Sequence, residues 1–90
     1  MSLNLSREAL NLLREISRSQ SGEFSRLVFD RTIKFDLNGH TLNDPSSVNS
    51  TNDWEQAKDQ LLENEFVEEL STGIFRVTKA GLEYANSHLK

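Results

Sequence analysis

Apolar residues change their spacing along this chain, and each change marks a structural element. Leu5, Ala9, Leu12, Leu13 and Ile16 recur at helical intervals and form one face. Ser6 stands just before that face. Its hydroxyl can accept a free N–H of the first turn, with Leu5 and Leu10 at the staple positions around it. The pattern stops at Ser19-Gln20-Ser21-Gly22.

From Glu23 to Leu42 the period falls to two. Leu27 and Phe29, then Ile33, Phe35 and Leu37, alternate with polar neighbours, as strands half buried against a core do. Asn38-Gly39 predicts a tight hairpin, because both residues tolerate the positive φ of a type I′ turn. A second turn is expected near Asp30, which makes the segment a small antiparallel meander. Residues 43–51 are polar around Pro45, the only proline, and predict a loop.

A second helix is expected from Asn52, with Glu55 placed to close a capping box and Trp54, Ala57, Leu61 and Leu62 facing inward. Asn64 is the stop. Phe66 opens a ribbon that turns at Ser71-Thr72-Gly73 and returns through Ile74, Phe75 and Val77. Thr78 then caps a third helix. Leu82, Ala85 and Leu89 are expected to pack inward there, leaving Ala80, Tyr84 and His88 outside.

Length and composition restrict the function. Ninety residues make one domain. With no cysteine, neither a disulfide framework nor a thiolate metal site can form. The longest apolar run, Leu27-Val28-Phe29, is far below the roughly 20 residues of a membrane-spanning helix. No basic segment leads into an apolar stretch at the N-terminus, so no secretory signal is expected and the location expected is cytoplasmic. His40 and His88 are the only histidines and match no zinc spacing, and the four glycines form no phosphate-binding loop. No catalytic residue, metal, cofactor, small-molecule substrate or membrane partner is therefore expected.

The chain resembles prokaryotic winged-helix-like domains, which often occur as C-terminal modules. The residues that carry the resemblance are Leu-Ser-Arg-Glu-Ala-Leu at 5–10, the hairpin at Asn38-Gly39, Trp54 with Ala57 and Leu61-Leu62, and Val77-Thr78-Lys79-Ala80-Gly81. Its most specific piece is the ribbon followed by Thr78-x-x-Gly81. The resemblance implies an α+β fold of three helices, a small antiparallel sheet and a C-terminal β-ribbon, the wing. It also implies binding rather than catalysis. Two places depart from the family pattern. Residues 23–51 read as strands and a loop where DNA-binding members carry a short helix, and Glu65-Phe66 replaces a Gly-hydrophobic pair.

Charge decides between binding partners. Residues 1–34 hold six basic and four acidic groups, whereas residues 35–90 hold four basic and ten acidic. The outward face of the 53–64 helix carries Asp53, Glu55, Gln56, Asp59, Gln60 and Glu63, with the Lys58 stem at the apolar edge. Those carboxylates repel a phosphate-lined groove. The expected function is therefore a non-catalytic interaction module with a protein partner or a second copy of itself. Gln56, Asp59, Gln60 and Glu63 would form one surface and Tyr84 with His88 another. The alternative is a DNA-binding regulator, with the 53–64 helix in the major groove and the 66–78 wing on phosphates. Gln56 and Gln60 would then read adenine edges. Arg7, Arg14 and Arg18, on one stripe of the first helix, would join Arg76 and Lys79 on the backbone.

Overall fold

The computed structural model describes residues 5–89. The elements run α1 (Arg7–Arg18), β1 (Glu23–Phe29), β2 (Thr32–Leu37), β3 (His40–Thr41), α2 (Val48–Glu63), β4 (Val67–Ser71), β5 (Ile74–Val77) and α3 (Lys79–His88). The fold is α+β, with three helices and one antiparallel five-stranded sheet of order β3-β2-β1-β5-β4. Meander and ribbon are not separate sheets. Glu23, Phe24 and Ser25 pair with Arg76, Phe75 and Ile74, so β1 becomes the central strand.

Local chemistry sets several boundaries as the sequence predicts. Ser6 Oγ accepts the Ala9 N–H at 3.1 Å, and Ala9, Leu12, Leu13 and Ile16 are wholly buried. Asn38 and Gly39 both have positive φ, 52° and 84°, as a type I′ turn requires. Thr78 Oγ1 accepts the Gly81 N–H at 3.1 Å and caps α3.

Three expectations are corrected. The first concerns the parity of β1. Phe24 is buried and stacks on Phe75 with ring centroids 5.0 Å apart. Because strand side chains alternate, anchoring Phe24 in the core sends Leu27 and Phe29 to the opposite, uncovered face of the sheet. Phe35 and Leu37 are buried as expected, but Phe29 is 61% exposed.

The second correction is the start of α2, a turn earlier than Asn52. Ser47 is the cap, and its Oγ accepts the Ser50 N–H at 3.1 Å. Asp44 Oδ1 shapes the preceding turn by accepting from the Ser46 N–H and hydroxyl. The first turn, Val48-Asn49-Ser50-Thr51, carries no apolar period that could reveal it. Glu55 closes no capping box and pairs elsewhere.

The third correction is the rotation of α3. Ala85 is buried and Leu89 packs against the core as expected, but Gly81 takes the inward place expected of Leu82, which is exposed, and Tyr84 is half-buried. The helix presents its smallest face to the protein, because there its backbone lies against that of Phe66.

The end of α2 explains the Glu65-Phe66 departure. The Phe66 N–H donates to the Leu61 carbonyl and the Glu65 N–H to that of Leu62, at 2.9 and 3.0 Å. These are the two bonds of a Schellman stop, with Glu65 in the left-handed position at φ 61° where glycine is usual. Phe66 is the buried apolar residue that follows it. Glu65→Gly is expected to stabilise the protein by about 1 kcal/mol, since a side chain at positive φ costs about 1–2 kcal/mol. A rise in the urea midpoint at unchanged slope checks it.

Candidate interaction face on the second helix

The face is built on α2. Ala57 and Leu61 are buried, and Trp54 and Leu62 pack half-buried against the same core. That seating turns Asp53, Gln56, Asp59 and Glu63 to solvent, all four exposed. Gln60 does not join them. It is half-buried, and its Oε1 accepts the Ser6 N–H at 2.8 Å, tying α2 to the start of α1.

Glu55 is also withdrawn from the free surface. Arg26 comes from the central strand, on the side of the sheet that carries Phe24. Its Nε and Nη2 donate to the two Glu55 oxygens at 2.6 and 2.9 Å. Lys58 lies 3.6 Å from Glu55 and 3.1 Å from Asp59. The Arg26 hydrogen bond holds the Glu55 carboxyl below its ordinary value, outweighing the upward push of burial, and Lys58 adds to the effect. The same bond raises the Arg26 guanidinium. Both cations on this side of α2 therefore have carboxylate partners. Among the described residues, no ion pair holds Asp53 or Glu63.

Beside this face runs a groove of about 310 Å³ between α2 and the turn of the ribbon. Val28, Leu62 and Phe75 supply its apolar walls, and Arg26, Lys58 and Glu69 its charged ones. The sequence points to neither the groove nor the Arg26–Glu55 pair. Arg26 shares the parity of Phe24, which is the only local hint, and its partner is 29 residues away.

Tyr84 lies off this face, in an aromatic ladder that starts where α2 ends. Its ring stacks 4.8 Å from Phe66 and 4.3 Å from His88. The ladder leaves His88 exposed, with Nδ1 3.2 Å from the Tyr84 carbonyl oxygen. The candidate phosphate contacts are dispersed. Arg7 and Arg18 are exposed on α1, but Arg14 Nη2 donates to Asn11 Oδ1 at 2.7 Å. Arg76 sits on the uncovered sheet face in an ion pair with Glu68 at 3.1 Å, and Lys79 is exposed at the first turn of α3.

Among the described residues, no helix is long and apolar enough to cross a membrane, and no group of three or more His, Asp or Glu could hold a metal ion. No family model, curated protein or solved structure matches this chain.

Proposed function

We propose that this is a non-catalytic, winged-helix-like interaction module that receives a basic segment of a protein partner on the acidic face of α2. The observation that carries the reading is the charge state of that face. Arg26 and Lys58 are matched by Glu55 and Asp59, while Asp53 and Glu63 stand free in solvent. Unpaired carboxylates around an exposed helix attract cationic segments and speed their encounter.

The winged-helix reading has its own support. Helix, ribbon and capped helix follow in the family's order, and the ribbon lies beside the first strand after α1. The β2–β3 hairpin occupies the place of the short helix of DNA-binding members. DNA is a poorer fit, because Gln60 is committed to Ser6 and leaves Gln56 as the lone glutamine to read a base. A second copy of the chain is also a poorer fit, since two acidic α2 faces repel each other at a net charge of −4, and on α3 the Tyr84 ring is half-buried between Phe66 and His88.

The test follows anisotropy of two labelled probes at low salt, a generic DNA duplex and a ten-residue Lys/Arg/Ser peptide. The peptide is expected to bind and to lose at least about tenfold in affinity when Asp59→Lys and Glu63→Lys are combined. The duplex is expected not to bind. Duplex binding that falls steeply with salt would overturn the reading in favour of a DNA-binding regulator.

A further inference from the structure

We propose that the groove beside α2 seats one large apolar side chain of the same basic segment, an inference that rests on the acidic-face reading. The groove lies where α2 leaves part of β1 uncovered. Val28 shares the parity of Phe24 and Arg26, so it faces the helix layer, yet it remains 55% exposed. Leu62 flanks it from α2 and Phe75 from β5. An exposed valine on the core side of a sheet is an unfilled packing position.

The shape is fixed by backbone. At the ribbon turn, the Arg26 N–H donates to the Gly73 carbonyl at 2.7 Å. Gly73 has φ +80°, and a Cβ there would come within 2.7 Å of the Arg26 carbonyl oxygen. The turn is thus seated directly on β1, and one wall of the groove needs no rearrangement to receive a ligand. At about 310 Å³ the space is near the lower limit of small-molecule sites, roughly 300 Å³. That is room for one large side chain.

Charge selects what flanks the anchor. Glu69 stands on the ribbon side, where its Oε2 accepts the Gly73 N–H at 3.3 Å and, among the described residues, no ion pair holds it. On the helix side Asp59 lies 3.1 Å from the Lys58 ammonium. Two cations, Arg26 and Lys58, thus meet three carboxylates: Glu55 and Asp59, which pair with them, and Glu69 on the ribbon. An apolar residue between Lys or Arg neighbours fits both the walls and the rim, in the manner of a buried anchor inside a polar ring.

The experiment compares two labelled ten-residue Lys/Arg/Ser peptides, one with a central Leu and one with Ser in its place, on the full chain. The Leu peptide is expected to bind about tenfold tighter, the equivalent of burying most of one such side chain. Val28→Gln should reduce that ratio to near one without changing affinity for the Ser peptide. Leu82→Gln, at an exposed apolar position on α3, should leave the ratio intact. Amide shifts at Thr72 and Gly73 with the Leu peptide alone give a second readout that needs no variant. Equal affinity for both peptides on the unaltered protein overturns the groove and leaves the acidic face standing. Binding of neither overturns both.

Discussion

Asn43→Ala lowers stability by about 3 kcal/mol, the combined effect of losing all three hydrogen bonds of its side-chain amide. Among the described residues its side chain is the one buried polar group of the core, 5% exposed. The Oδ1 accepts the Phe35 N–H at 2.9 Å, and the Nδ2 donates to the Ile33 carbonyl at 2.9 Å and to Thr51 Oγ1 at 3.0 Å. β3 ends at Thr41, and the Leu42 N–H still reaches the Phe35 carbonyl at 2.7 Å. The Asn43 amide then takes the next place along β2, standing in for a peptide group of the missing strand. It also fastens that edge to the first turn of α2 through Thr51.

Alanine leaves the Phe35 N–H buried without an acceptor, which alone costs about 1–3 kcal/mol. For a domain of this size the loss lowers Tm on the order of 15 °C. Asn43→Asp separates the contributions, because it keeps the acceptor for Phe35 but turns an oxygen towards the Ile33 carbonyl. It should be at least as damaging near neutral pH. A drop below about 0.5 kcal/mol in either variant, read from urea midpoints, would show that the amide does not hold this edge.

Gly81→Ala is expected to destabilise by about 3 kcal/mol, at the upper end of the usual cost of overpacking. In an exposed helix the same change would stabilise by about 1 kcal/mol, since alanine is the better helix former. The sign alone therefore tests the packing. A Cβ at Gly81 would overlap the Phe66 carbonyl oxygen and come within 2.8 Å of Val77 Cγ2. The Phe66 oxygen cannot yield easily, because it already accepts the Thr78 N–H at 2.9 Å. Thr78 Oγ1 donates to the neighbouring Glu65 carbonyl at 2.7 Å, which pins the same crossing a second time. Ala80→Gly, one residue earlier on the exposed side, should cost only about 1 kcal/mol and controls for helix propensity. Unchanged or raised stability in Gly81→Ala would mean that α3 stands off from the ribbon.

Gly81 also shows how far the sequence can be read. Thr78-x-x-Gly81 marks the start of α3 correctly, because a cap is a local hydrogen bond between residues three apart. It says nothing about rotation. An apolar count favours Leu82 inward beside Ala85, and close backbone approach instead chose Gly81. The candidate site divides in the same way. Exposure of Gln56, Asp59 and Glu63 follows from the helical period once Ala57 and Leu61 are buried. Removal of Gln60 and Glu55 from that face follows from Ser6 and Arg26, 54 and 29 residues away, which no window along the chain contains.

By itself the sequence determined the features whose causes are local. These are the Ser6 and Thr78 caps, the periodic face of α1, the positive-φ turn at Asn38-Gly39, the stop at Asn64 and the order of the elements. Tertiary structure decided which of two sheet faces holds Leu27 and Phe29, because parity becomes meaningful only once Phe24 meets Phe75. It decided that meander and ribbon share one sheet, that Asn43 is buried, and that a groove opens beside α2. Each of these depends on contacts between segments distant in sequence, whereas caps, turns and periodicity arise within a few neighbouring residues.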